Sequence, residues 1–199
     1  MTICLLLAAG SSSRMGKPKM LLPYNGKTFL QKIVDEIQKL DNALLLVITG
    51  CYHSLLNKIL TKQHIAFVQC EDWEQGMGAS IQTGINYVLQ HYTNADNIII
   101  LVCDQPYISS GLLQEMIDTT RSTSKGIIAC AYAGTTGTPV LFDKKYFSEL
   151  AMLDGQQGAK KILQQFAADV SPIMFPEGII DIDNPEDYER FMNKKSGGS

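Results

Sequence analysis

Residues 3–23 read ICLLLAAGSSSRMGKPKMLLP, and this stretch decides the fold. Ile3–Leu7 is solidly apolar, as a strand buried on both faces of a parallel sheet must be. It runs into small residues, Ala8, Ala9, Gly10, Ser11, Ser12 and Ser13, and then into three cations, Arg14, Lys17 and Lys19. In an open parallel sheet, ligands bind beyond the carboxyl ends of the strands, and this loop leaves the first one. Small residues let backbone N–H groups approach an anion, and the cations neutralise it. The composition therefore suits a polyphosphate, although a solvated surface loop has the same ingredients. Two familiar phosphate loops fail on spacing. Gly10 and Gly16 are the only glycines of the loop, so Gly-x-Gly-x-x-Gly is absent. Gly16-Lys17 is followed by Pro18 where a P-loop needs Ser or Thr.

Outward from this stretch the chain alternates short β-rich runs with amphipathic segments. Strands are expected at Ile3–Leu7, Ala43–Ile48, Ile65–Gln69, Asn97–Val102, Gly126–Ala131, Pro139–Phe142 and Val170–Met174. Helices are expected at Thr28–Leu40, Tyr52–Thr61, Ala79–His91, Ser109–Arg121, Gly158–Phe166 and Pro185–Met192. In the first helix Phe29, Leu30, Ile33, Val34 and Ile37 share one face, with Thr28 as N-cap. In the last, Asn184 caps and Pro185 takes the first helical position. Such alternation implies an α/β fold, a mostly parallel sheet covered by helices in three Rossmann-like layers. One domain is expected over residues 1–193, with 194–199 as a frayed tail.

Composition excludes other classes. The 199 residues are 45% apolar and 19% charged, which does not describe a disordered chain. The net charge of −3 comes without a basic stripe, so no nucleic-acid partner is expected. The longest apolar run, Ile3 to Ala9, falls far short of the ~20 residues that span a bilayer. No basic residues precede it, as a secretory leader requires. Five dispersed cysteines without a CxxC pair fit reduced thiols, and the expected location is the cytoplasm.

Further motifs carry chemistry. Cys103-Asp104-Gln105-Pro106 follows an apolar strand, and a carboxylate there either holds Mg²⁺ or caps the turn that Pro106 encourages. In Asp181-Ile182-Asp183-Asn184-Pro185-Glu186-Asp187, an inward Ile182 would send Asp181 and Asp183 to the same side. Glu186 and Asp187 suit the start of a helix. Glycines in Gln75-Gly76-Met77-Gly78-Ala79-Ser80 would admit a flat base whose edge Ser80 could meet; a flexible loop with a cap is the plain alternative. Trp73, just upstream, is expected in the core or at its rim. His53, His64 and His91 share no motif.

The string from Leu7 to Pro23 resembles the signature of the MobA-like nucleotidyltransferases, roughly L-A-A-G-x-S-x-R-M-G-x-x-K-x-L-L-P. The similarity continues, in order, through Gly76–Gly84, Cys103–Pro106, Gly137–Val140, Gly155–Lys160 and Asp181–Asp187. It implies a loop that wraps a nucleoside triphosphate, with Leu7, Ala8, Ala9, Gly10 and Ser11 beside the nucleotide. Arg14 and Lys19 fall on the family's phosphate-binding positions, and Lys17 on a variable one. Asp104 and Asp183 would hold Mg²⁺, with Asp181 in support. Gly76 and Ser80 fall in the base-reading segment. Gly137 and Pro139, with Gly158 and Lys160, fall on the acceptor side. There Gly155-Gln156 stands where Gly-Asp is usual, and Lys160 replaces an arginine whose planar fork it cannot reproduce.

Within the family the chain looks like the molybdenum cofactor cytidylyltransferases. The resemblance implies transfer of CMP from CTP to the phosphate of a molybdopterin-type acceptor, release of pyrophosphate, and delivery to a molybdenum hydroxylase. Arg14, Lys19 and Asp104 are then the expected catalytic residues. No Ser-His or Cys-His nucleophile is evident, and phosphoryl-group transfer needs none, since positioning and charge neutralisation carry it. A sugar phosphate or methylerythritol phosphate acceptor stays open, as does a non-catalytic carrier of the cofactor.

Overall fold

The computed structural model describes residues 1–12, 15–60 and 65–196. Its centre is β1 (Thr2–Ala8), which pairs in parallel with β4 (Ala43–Thr49) on one side and β6 (Asn97–Val102) on the other. β5 (Ala66–Gln69) extends the sheet beyond β4, again in parallel. Beyond β6 lie β8 (Thr135–Asp143), β7 (Ile127–Tyr132) and β9 (Val170–Met174), giving the order β5-β4-β1-β6-β8-β7-β9. β8 is antiparallel to both neighbours, so the sheet is mostly and not wholly parallel. This is the α/β architecture expected of the alternating pattern.

Helices cover both faces, which is why β1 must be apolar throughout. Cys4, Leu6 and Ala8 join one core with α1 (Phe29–Ile37) and α4 (Ser110–Ser122), and α2 (His53–Leu60) adds Leu56. Ile3, Leu5 and Leu7 join the other with α3 (Met77–His91), α5 (Phe147–Ala151) and α6 (Lys160–Gln165). Alternation of side chains along the strand feeds the two cores in turn. The caps follow the sequence. The Thr28 hydroxyl accepts from the Gln31 amide at 3.1 Å. At α7 (Pro185–Ser196), Asn184 Oδ1 accepts from the Asp187 amide at 2.8 Å while Asp187 Oδ2 accepts back from the amides of Asp183 and Asn184. This is a reciprocal capping box.

Four elements differ from expectation. Residues 23–28 form a small hairpin of β2 (Pro23–Tyr24) and β3 (Lys27–Thr28), turned by Asn25 and Gly26, both at positive φ. Asn-Gly supplies that geometry cheaply. α5 is an added turn of helix, and β8 begins four residues earlier than expected because it zips onto β7 through Thr135 and Thr136. α7 remains helical to Ser196, past the boundary expected at residue 193; 197–199 lie outside the described residues.

A third, smaller core decides where the site sits. Met15, Leu22, Tyr24, Phe29, Ile182 and Phe191 bury one another, with Tyr24 and Phe191 rings 4.9 Å apart. It joins the loop after β1, the hairpin, the segment before α7, and α7 itself.

Candidate active site

A cavity of about 380 Å³ opens at the carboxyl ends of β1 and β6. One wall is the end of β1 and its loop: Leu7, Ala8, Ala9, Gly10, Ser11 and Ser12. Lys19, on a short 3-10 turn, closes one side, and Asp104 with Val102 and Cys103 another. Opposite stand Trp73, Glu74, Gly76 and Met77, with Ser80 on the first turn of α3. The loop is held in place from outside. Tyr52 Oη donates to the Ser11 carbonyl at 2.7 Å, and the Lys19 amide donates to Ser12 Oγ at 3.0 Å. Gly50 matters here because a side chain would collide with the Ala9 carbonyl and the Trp73 ring. Ser80 is only 4% exposed and lines the cavity, where its hydroxyl can meet a ligand.

Beside the cavity, the acidic residues converge. Ile182 is 1% exposed in the third core, and its inward turn sends both flanking carboxylates toward Asp104. Oxygens of Asp104, Asp181 and Asp183 lie within 4.8 Å of one another. Lys19 Nζ donates to Asp183 and stands 3.6 Å from Asp104 Oδ2. Partial burial pulls the Lys19 ammonium down, but the hydrogen bond to Asp183 and the charges of Asp104, Asp183 and Asp181 outweigh it and raise it above the ordinary lysine value. Asp181 is pushed up to about 7, first by desolvation of its carboxyl and then by Asp104 and Asp183; Lys19 offsets this in part. The residue as a whole is exposed, so solvent screens that crowding. Three carboxylates sharing one small space are short of positive charge. Hard oxygen donors at this spacing fit a hard divalent cation such as Mg²⁺ or Mn²⁺.

The expected residues divide between this place and others. Leu7, Ala8, Ala9, Gly10, Ser11, Lys19, Gly76, Ser80 and Asp104 line one cavity, and Asp183 reaches it through Lys19. Arg14 lies outside the described residues. Gly137 and Pro139 sit on β8, where Tyr132 covers the open side of Gly137. Gly158 packs against Met77, and Lys160 is exposed at the start of α6. The open sides of Gly76 and Gly78 are filled by the backbone of Gly155 and Asp154, so these glycines admit a neighbouring chain segment more than a base. Glu74 was not singled out by the sequence, Ser12 and Met77 entered only as members of longer motifs, and Trp73, expected in core or rim, both packs on the core and faces the cavity.

The fold meets its counterparts among known proteins. Residues 4–170 match the MobA-like NTP transferase domain, and the chain belongs to that family. It is thus a nucleotidyltransferase by family. It is 27% identical to the purine catabolism protein PucB of Bacillus subtilis, over 94% of each chain. The crystal structure of Rv0371c from Mycobacterium tuberculosis superposes with a TM-score of 0.82 at 28% identity, covering 96% of this chain and 97% of that one. A second structure of Rv0371c, in complex with manganese, gives 0.78 at 26% identity, covering 96% and 98%. Among the described residues no helix is long and apolar enough to cross a membrane.

Proposed function

We propose that the protein transfers CMP from CTP to the phosphate of a molybdopterin-type molybdenum cofactor in the cytoplasm, releasing pyrophosphate. One observation carries the reading: Lys19 is bound to Asp183 and beside Asp104 at the edge of a cavity walled by the small-residue loop after β1. In this reading backbone N–H groups of residues 10–16, Lys19 and Arg14 hold the triphosphate, Arg14 on the strength of its sequence position alone. Gly76 and Ser80 meet the base. Asp104 and Asp183 are the Mg²⁺-holding carboxylates, with Asp181 in support. When bound, a divalent cation supplies charge neutralisation and orientation of the triphosphate; that Rv0371c forms a complex with manganese supports a divalent metal in this reading.

An oxygen of the acceptor phosphate attacks the α-phosphorus in line. The bond from that phosphorus to the bridging oxygen of the β-phosphate breaks, and pyrophosphate leaves. Lys19 neutralises charge on the α-phosphate and on the departing group without exchanging a proton, since its raised pKa keeps it cationic. Gly137, Pro139, Gly158 and Lys160 are assigned to the acceptor, and the product would pass to a molybdenum hydroxylase.

The test is a panel. CTP, GTP, ATP and UTP are paired with molybdenum cofactor, a sugar 1-phosphate and methylerythritol phosphate in the presence of Mg²⁺, and pyrophosphate is measured. CTP with the molybdenum cofactor should be fastest. Faster release with a sugar phosphate or methylerythritol phosphate would reassign the acceptor. Cofactor binding with no pyrophosphate from any donor would make the protein a carrier.

A further inference from the structure

The three carboxylates of the cluster are not positioned by the same means. Asp104 follows β6 directly and inherits its place from the central sheet. Asp181 and Asp183 lie between a short 3-10 turn at Pro176–Ile179 and α7, where no strand ladder fixes them. Their distance from Asp104 therefore depends on side-chain links. Ile182 anchors the segment to the third core, and Lys19 ties Asp183 to the loop after β1.

A further link runs through Gln105, the residue after Asp104. Its side chain is 4% exposed, and its Nε2 donates to the Thr138 carbonyl at 3.0 Å and to the Gly178 carbonyl at 3.2 Å. The amide orientation is forced, because the reverse would set Oε1 against two carbonyl oxygens. Oε1 itself is buried with no partner among the described residues. A buried acceptor left unmade is a cost, so the side chain is held there by its donor half. Those two bonds join the end of β6 to β8 and to the turn three residues before Asp181. In the segment after Asp104, Lys32 Nζ on α1 donates to the Pro106 carbonyl at 2.7 Å, a further hold on that segment. Lys19 must release or share Asp183 for a cation to bind there. The Gln105 bonds are uncharged and remain made when that happens.

We propose that Gln105 is a positioning residue that presets the gap between Asp104 and the Asp181–Asp183 pair, and with it the divalent-cation affinity of the cluster. This rests on the metal reading given above. Outer-shell residues that orient metal-holding groups characteristically change metal affinity by about 10–100-fold when lost. Gln105→Met keeps the side-chain length and removes both donors. Gln105→Asn keeps the amide but is one methylene too short to reach both carbonyls.

The experiment is a Mn²⁺ titration of the full chain without nucleotide, following the electron paramagnetic resonance signal of the free ion, with thermal unfolding recorded in parallel. Mn²⁺ affinity should fall about tenfold in Gln105→Met and several-fold in Gln105→Asn. In the pyrophosphate assay the Mn²⁺ needed for half-maximal rate should rise alike, with turnover at saturating Mn²⁺ within about threefold of the parent. A purely structural role predicts a lower Tm with Mn²⁺ affinity unchanged, and affinity within twofold of the parent in either folded variant overturns the proposal. Should the parent bind Mn²⁺ no better than Asp104→Ala, the metal reading falls, and this one with it.

Discussion

The two sides assigned to donor and acceptor are built differently. On the donor side, Lys19, Asp104 and Asp183 come from three distant parts of the chain, yet meet within ion-pair distance. Each is backed by buried structure: Met20 and Leu22 behind Lys19, β6 behind Asp104, Ile182 beside Asp183. On the acceptor side, Gly137 and Pro139 sit in β8 while Gly158 precedes α6 and Lys160 starts it. Lys160 is exposed, and Tyr132 already covers Gly137. Charge that must be neutralised as a bond breaks has to be met by groups fixed in advance, because reorganisation costs rate. Recognition of an acceptor tolerates adaptable, exposed contacts. If the proposed assignment holds, the contrast implies that the chemistry is fixed by the core and the choice of acceptor by the surface.

The largest expected effect attacks the donor side directly. Lys19→Ala and Asp104→Ala should each lower pyrophosphate release at saturating CTP by about 10²–10³-fold, since each removes a charge placed in advance. Steady-state rates of the two variants decide it, and near-parental turnover in both would erase the contrast. The next prediction asks whether the third core positions the acidic segment. Ile182→Ala should cost about 2–5 kcal/mol, as large-to-small changes at a fully buried position do. Calorimetry would then record a Tm lower by roughly 5–15 °C. Its Mn²⁺ affinity should fall as well; a destabilised chain with an unaltered cation affinity would mean that Asp181 and Asp183 are placed by something else.

How much of this was legible follows the same divide. Ile182 could be read as inward because an apolar residue between two aspartates has one sensible place in an extended segment, and the structure buries it. Thr28 and Asn184 declared their helix starts because cap chemistry is local. The apolar strands revealed a sheet covered on both faces for the same reason. What escaped depended on contacts between remote segments. Trp73 faces the cavity because Gly50, at the end of another strand, leaves room for its ring. Glu74 shares its turn, and no spacing rule marks it. The backbone at Gly155 that fills the open side of Gly76 is far along the chain, so those glycines read as base access from sequence alone. The early start of β8 is likewise set by its pairing with β7 and not by its own residues.

A smaller effect probes the charge shortage of the donor side. The Asp181 carboxyl, ordinarily near 3.8, is pushed up to about 7 in the folded chain by desolvation and by its two acidic neighbours. The folded state therefore binds more protons than the unfolded state between those values, and raising the pH through that window lowers stability. Below it the carboxyl is neutral in both states and the effect vanishes. Asp181→Asn should thus be more stable than the parent at pH 8 and indistinguishable from it at pH 4, without added metal. Exposure limits the gain to about 1 kcal/mol or less, roughly 2–4 °C in Tm. Saturating Mg²⁺ should narrow the difference at pH 8, because an ion that binds only the folded parent stabilises it. A parent more stable than Asp181→Asn at pH 8 without metal would mean that Lys19 already satisfies the cluster.

The smallest effect lies on the acceptor side, where Lys160 is exposed at the start of a six-residue helix. An ammonium in water gains little from one phosphate, since solvent and salt screen the pair. Lys160→Ala should therefore raise the KM for the molybdenum cofactor only about threefold, leave the KM for CTP unchanged, and leave Tm within about 1–2 °C. Lys160→Arg restores the charge and adds a planar fork that suits phosphate, so it should match or improve on the parent KM. The pair of variants separates three situations by their kinetics. A KM shift in the alanine variant that arginine reverses places Lys160 against the acceptor phosphate. A shift in the KM for CTP would move it to the donor side and undo the division between the two regions. No shift in either variant would leave acceptor binding to Gly137, Pro139 and the surface around β8.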